Sequence, residues 1–215
     1  MRDGFFLFIK ILKFNLLERI KIKNRILLHI CCAPDATVPL DDLELEGWDI
    51  AGYFYGSNIQ PKGEYIKRLE ALHILMSNHE DIKVIEGEYE PEQWRSHMEN
   101  LNLIHEPEGG LRCAECFRLQ FEAAAQEAVR LDCTHISTSL TISPHKDVNL
   151  IIKLGEEIAA KYNLIWLAKI WRKQNGFLRS IKISREMGLY RQNYCGCAPS
   201  LASAEADRSQ RKLCS

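Results

Sequence analysis

"RILLHICCAPDA", residues 25–36, decides the fold. Its first seven residues, 25–31, form a short apolar run rich in β-formers, the pattern of a strand buried on both faces. The run ends on two adjacent cysteines, Cys31 and Cys32. Four further apolar runs recur downstream: "WDIAGYFYG" (48–56), "IKVIEG" (82–87), "THISTSL" (134–140) and "LIWLAKI" (164–170). Helical stretches separate them. "PLDDLELEG" reads as a helix ending at Gly47. Residues 61–79 start on Pro61 and carry Tyr65, Leu69, Leu72 and Leu75 on one side. Residues 91–101, 114–131 and 147–163 complete the set. Strand and helix thus alternate through five strands. This predicts an α/β domain of the Rossmann-like (HUP-type) kind, a parallel sheet with helices on both faces, followed by a helical C-terminal segment.

The chain has 215 residues, 46% hydrophobic and 27% charged, ordinary for a globular protein with one sizeable core. Neither repeats nor a linker interrupt it, so residues 25–215 read as one catalytic domain ending in a cysteine-rich, basic segment. Residues 1–24 read as an extension. They are apolar and basic, with Lys10 and Lys13 breaking the run and no small-residue cleavage site. They are too short and too charged to span a bilayer. The expectation is a surface-packed helix, or translation begun too early, on a cytoplasmic protein with no membrane partner. A net charge of −1 excludes a general polyanion binder, so any affinity for nucleic acid must come from a local patch.

Eight cysteines is many for a chain of this size, and six of them form three tight pairs: Cys31/Cys32, Cys113/Cys116 and Cys195/Cys197. That spacing points to metal or redox work rather than to a disulfide framework. Cys195 and Cys197 are too close for an ordinary structural bridge. Cys113 and Cys116 open a helix, where free backbone N–H groups favour thiolates. Ligands of such a sheet gather at the carboxyl ends of its strands, where Cys31, Cys32 and the segments "YGSNIQP", "STSLTISPHKD" and "WRKQNGF" are expected to converge. Four thiolates suit tetrahedral zinc or an iron–sulfur cubane. Adjacent cysteines chelate one small ion awkwardly, and a structural zinc would leave Cys195 and Cys197 idle; both points favour the cubane. Asp35 could hold a second, harder iron, or could simply cap a helix. His29 reads as a core histidine on the same strand face as Cys31, Cys133 as a packing residue, and Cys214 as inert.

Between Lys169 and Arg191 lie Arg172, Lys173, Arg179, Lys182 and Arg185 against one acid, Glu186, with Trp171, Phe177, Tyr190 and Tyr194 interleaved. Basic groups track phosphates and rings stack on unpaired bases, so this segment reads as an RNA surface. Lys62, Lys67 and Arg68 form a second basic candidate.

"LLHICCAPDAT", "YFYGSNIQPKGEYIKR", "RCAECFRLQFEAAA", "STSLTISPHKD" and "NGFLRSIKISREMGLYRQNYCGC" together resemble the cobalamin-independent epoxyqueuosine reductases over roughly residues 25–200. The resemblance implies two-electron reduction of the epoxide of epoxyqueuosine to queuosine at the wobble position of tRNA anticodon loops. The implied acceptors are the tRNAs for aspartate, asparagine, histidine and tyrosine, and the electron donor is unknown. It implies a [4Fe-4S] cluster on Cys31, Cys32, Cys113 and Cys116, with an additional mononuclear iron. Cys195 and Cys197 would then be a redox pair or, with Asp35, part of that iron's shell. Some members carry Cys at the place of Asp35, and "APS" after Cys197 is more polar than the family pattern. Tyr194, His145 and Asp35 are the candidate proton donors. Arg172, Lys173, Arg179, Lys182 and Arg191 are the candidate RNA contacts. Two rival readings are an ATP-dependent tRNA-thiolating enzyme and a zinc-stabilised RNA-binding module. The first needs a Gly/Ser-rich pyrophosphate loop where this chain has "CCAPDAT".

Overall fold

The structure is a computed structural model and describes residues 24–213; the expectations for the N-terminal extension and for Cys214 lie outside them. Five strands form one all-parallel sheet: β1 (Arg25–Ile30), β2 (Asp49–Phe54), β3 (Lys83–Glu86), β4 (His135–Thr138) and β5 (Ile165–Trp166), in the order β3-β2-β1-β4-β5. The connecting helices are α1 (Ala33–Leu45), α2 (Lys62–Met76), α3 (Pro91–Asn100), α4 (Leu111–Arg130) and α5 (Val148–Lys161). A 3-10 turn (Ser139–Ile142) extends β4, and α6 (Gly176–Glu186) and α7 (Ala198–Leu213) complete the described chain. The Rossmann-like expectation holds. Among the described residues no helix is long and apolar enough to cross a membrane.

Strand alternation divides the core. Ile26, Leu28 and Ile30 of β1 face one side, against Leu40 and Leu43 of α1 and Leu72 and Leu75 of α2. Leu27 faces the other, against Phe117, Phe121 and Ala125 of α4 and Ile151 and Ile158 of α5. A strand buried on both faces needs an unbroken apolar run, which is what "RILLHI" supplies. Gly155 of α5 is required by packing: a Cβ there would lie 2.2 Å from the Trp166 ring.

Two boundaries differ from expectation. The first helix starts at Ala33 rather than near Pro39, because Pro34 suits a first helical turn. Asp35 is therefore inside that turn, and Cys32 occupies the N-cap position. β5 is only two residues long; after Trp166 the chain leaves the regular ladder and runs on beside the turn after β4, and the Trp171 indole donates to the Thr138 carbonyl at 2.9 Å.

Candidate metal and redox site

β1 is the central strand, so its carboxyl end is flanked on both sides. Cys31 follows its last residue and Cys32 begins α1. Their sulfurs are 3.9 Å apart, and the Cys31 thiol lies 3.6 Å from an Asp35 carboxylate oxygen. One ligand atom from each of Cys31, Cys32 and Asp35 fits within 4.8 Å of the others, a set of two soft sulfurs and one hard oxygen. Ser139, from the turn after β4, holds the strand tip: its Oγ accepts from the Cys31 N–H at 3.3 Å.

Cys113 and Cys116 lie in the first turns of α4, both buried. Cys113 joins the α4–α5 side of the core, against which Cys31 also packs. Cys116 clusters with Cys197, Trp94 and Met98. All seven described cysteines are free thiols. Four sulfurs of the three pairs receive N–H donors: Cys32 from Gln192 (2.9 Å), Cys113 from Gly109 (3.2 Å), Cys116 from Gln120 (3.1 Å) and Cys195 from Lys146 (3.0 Å). N–H donors aimed at sulfur favour the thiolate, the form in which cysteine binds metal.

The electrostatics oppose leaving those thiolates bare. The Cys31 thiol is pushed well up by its hydrogen bond with Cys32, by burial and by the nearby Asp35. Burial raises Cys116 strongly, and Cys195 and Cys197 add to it. Burial likewise raises Cys195, against the pull of Lys146. Several thiols crowded in a buried space, each raising its neighbours, ionise together only when a cation is among them. Trp94 Nε1, buried beside Cys116 and Cys197, is directed at the Cys116 sulfur and favours its thiolate, though without full hydrogen-bond geometry. An indole donor directed at Cys116 fits a sulfur that becomes an anionic acceptor, and Gln192 Oε1 is without a partner among the described residues. The donor set therefore fits an iron–sulfur group.

A cavity of about 620 Å³ opens beside this set. Cys31, Asp35, His145, Arg191, Tyr194 and Cys195 line it, so the structure brings these six expected residues together. Cys195 is half-buried and reaches the cavity, whereas Cys197 is buried behind it. Burial raises the Asp35 carboxyl, opposed by Cys31, Arg191 and Lys146. Tyr194 donates its hydroxyl to the Gln60 carbonyl at 2.6 Å, and burial together with Glu64 pushes it up to about 12. Its proton is already engaged. His145 is exposed at the rim.

The basic segment divides. Arg191 is exposed and lines the cavity while donating to Ser184 Oγ at 3.0 Å. Arg172 is turned inward and donates to the carbonyls of Ser143 (2.9 Å) and Lys146 (3.1 Å). Arg179 pairs with Asp42 at 2.8 Å and Lys182 with Glu186 at 3.9 Å, while Lys173 is exposed. Arg68, a member of the second basic candidate, is buried at the cavity wall, and Glu64 and the main chain around Cys195 take its donors. His29 is a core histidine: its Nδ1 meets Thr138 Oγ1 at 2.8 Å, and burial lowers it to about 3. Cys133 is buried in the α4–α5 core, as expected.

Sequence reasoning passed over Lys146, Gln120, Gln192 and Trp94. Lys146 is nearly buried, and it bridges Cys195 and Glu108 at 3.0 and 3.1 Å. Burial alone would lower it, but Cys195 and Glu108 outweigh burial and keep it protonated. Its place in "SPHKD", just after the carboxyl end of β4, was the available signal.

Comparison with known proteins identifies the family. The family profile described as Epoxyqueuosine reductase QueH matches residues 26–203. The chain is 37% identical over 185 residues to a Staphylococcus epidermidis protein of that name, covering 84% of this chain and 77% of the relative. It is 36% identical over 179 residues to one from Thermotoga maritima, covering 82% and 90%. A Haemophilus influenzae relative is 35% identical over 188 residues, covering 87% and 76%. The chain thus belongs to the epoxyqueuosine reductase QueH family, whose members are oxidoreductases of tRNA modification.

Proposed function

We propose that the chain reduces the epoxide of epoxyqueuosine in the anticodon loop of tRNA, using a [4Fe-4S] cluster and an additional iron. The observation that carries this reading is that one cysteine of the pair after β1 and one of the pair before α7, Cys31 and Cys195, line one cavity with Asp35, Lys146 and Arg191, while their neighbours Cys32 and Cys197 sit with Asp35 and with Cys116 of α4. Turning an epoxide into an alkene takes two electrons and two protons and releases the oxygen as water. Cys31, Cys32, Cys113 and Cys116 would hold the cluster, which when bound supplies electrons singly to a polarised epoxide oxygen. Cys195 faces the cavity, where it would serve as a metal ligand or, with Cys197, lose two electrons and two protons as a dithiol. Asp35 and His145 offer proton sites at the cavity wall. Tyr194, whose hydroxyl is committed to Gln60, serves as wall rather than donor.

A second division of ligands has its own support. Cys195, Cys197 and Cys113 all act electrostatically on Cys116, while Cys31 and Cys32 share a site with Asp35. In that division the cluster draws on Cys113, Cys116 and the Cys195/Cys197 pair, and the separate iron takes Cys31, Cys32 and Asp35.

A cavity of about 620 Å³ is of the size for one extruded nucleotide and too small for a paired stem, which supports reading RNA in a loop. Arg191 and Lys146 set positive charge at its wall. The test is anaerobic reconstitution with iron and sulfide, then incubation with epoxyqueuosine-bearing tRNA and dithionite. Nucleoside mass spectrometry should show queuosine forming. An iron- and sulfide-loaded protein that binds this tRNA and leaves the epoxide intact overturns the reading. Zinc without sulfide in the purified protein supports the RNA-binding module instead.

A further inference from the structure

Arg68 lies on α2, in a stretch whose other bases face solvent, yet it is only 2% exposed. All three of its donor nitrogens are used internally. Nε donates to Glu64 Oε1 at 2.8 Å, Nη1 to the Cys195 carbonyl at 2.9 Å and Nη2 to the Tyr194 carbonyl at 3.2 Å. The second Glu64 oxygen accepts from the Tyr190 hydroxyl at 2.7 Å. The Tyr194 ring lies 5.4 Å from the guanidinium carbon. The Gln60 N–H, just before α2, donates to the Gly196 carbonyl at 2.8 Å. Three consecutive carbonyls, of Tyr194, Cys195 and Gly196, are therefore held from one side. Gly196 adopts φ +146, and a Cβ there would come within 3.2 Å of Arg68 Nη1. The backbone is pressed against the guanidinium at the point where glycine is needed.

We propose that Arg68 is a positioning residue of the reaction: its planar fork fixes the Cys195-Gly196-Cys197 backbone so that Cys195 faces the cavity and Cys197 faces Cys116. In a regular extended chain two residues separated by one share a face; Gly196 at φ +146 breaks that alternation, and holding the main chain there turns Cys195 and Cys197 to different surroundings. Lysine cannot do this job, because a single ammonium does not span two carbonyls and a carboxylate in the fixed geometry of a guanidinium. Arg68 touches the cavity wall with only 2% of its surface exposed, and each of its donor nitrogens is already engaged inside the protein. Glu64 neutralises the buried charge, and Tyr190 satisfies the remaining carboxylate oxygen.

The inference rests on the reading of Cys195 and Cys197 as part of the reacting centre, so two independent measurements are needed. The first uses the metal-free, reduced chain and follows iodoacetamide alkylation of individual cysteines by mass spectrometry. In Arg68→Lys, Cys195 and Cys197 should react several-fold faster than in the parent, with buried Cys133 as the unchanged internal standard. The second is steady-state kinetics of the reconstituted enzyme. There kcat should fall about 10-fold or more, while KM for tRNA stays within about 2-fold. Should Arg68→Lys fail to fold, the neutral pair Glu64→Gln with Arg68→Gln leaves no unpaired buried charge and should show the same two effects. A folded variant with parental alkylation rates, or with its whole loss in KM, overturns the proposal. Full activity in Cys195→Ser instead overturns the reading beneath it and leaves the alkylation result standing.

Discussion

Cys31 and Cys32 sit directly between a central strand and a helix, whereas Cys195 and Cys197 are held by hydrogen bonds from groups far away in the chain. The first pair follows β1, which pairs with β2 over six residues and with β4 over four. Moving it means breaking the middle of the sheet. The second pair lies in an irregular segment between α6 and α7, fixed by Arg68, Gln60 and Lys146 from distant parts of the chain. Regular structure therefore gives rigidity to one half of the site, and long-range hydrogen bonds give it to the other. The Cys195/Cys197 half can be loosened without unfolding the protein, and the Cys31/Cys32 half cannot.

The most severe way to probe the rigid half is Cys113→Ala or Cys116→Ala. Each removes a thiol presented by a helix that also forms the core, so the fold should stand while the cluster is lost. Anaerobically purified variants should lack bound iron and sulfide and should be inactive. Full cluster content in both would remove this pair from the ligand set.

On the looser half, Cys195→Ser and Cys197→Ser should each abolish epoxide reduction. Iron and sulfide analysis then separates the two divisions of ligands. Retained cluster assigns the primary ligands to Cys31, Cys32, Cys113 and Cys116; loss moves them to the second division. Turnover at the parental rate in either variant excludes the pair from the chemistry.

The arginines of the basic segment offer a subtler contrast. Arg191→Gln should weaken tRNA binding and flatten the salt dependence by about one unit of slope, if one phosphate contact is lost. Arg172→Gln should instead leave the salt slope unchanged and lower kcat, because Arg172 braces the main chain that presents Lys146. Equal slopes in both variants and the parent would move the RNA surface away from Arg191.

The smallest effect concerns β1 itself. His29 is neutral and buried, held to about 3, whereas an unfolded histidine titrates near 6.5. Between these values the unfolded chain binds a proton that the folded chain refuses, so stability is present above the unfolded value and is lost as pH falls towards the folded one. The slope approaches roughly 1.4 kcal/mol per pH unit from this group alone. Urea unfolding of the metal-free chain from pH 7 to pH 5 should show His29→Leu losing less stability than the parent. Parallel curves would mean that His29 reaches water.

Much of this was legible in the sequence, and the limits have a physical basis. The five strands and their parallel arrangement follow from the alternation of short apolar runs and helical stretches, which local patterning controls. The convergence of Cys31, Cys32, Asp35 and "SPHKD" follows from the rule that ligands gather at strand carboxyl ends. What escaped was the use made of the bases. Arg68, Arg172 and Lys146 look like surface charges in any local window. Only tertiary structure shows that Arg68 binds carbonyls 126 and 127 residues away and that Lys146 meets a sulfur 49 residues away. β5 was read too long because its apolar continuation, Leu167 to Trp171, packs under the turn after β4 rather than extending the sheet.

The Arg68 fork also bears on how the protein is made. Its carbonyl partners are synthesised more than a hundred residues later than Arg68 itself, close to the start of α7. While the chain is still emerging, the guanidinium has Glu64 but nothing to occupy its other nitrogens, and the thiols from β1 and α4 wait without Cys195 and Cys197. The centre is therefore closed only once the segment before α7 has been made. A metal that needs the complete set of thiols can be taken up only after that point.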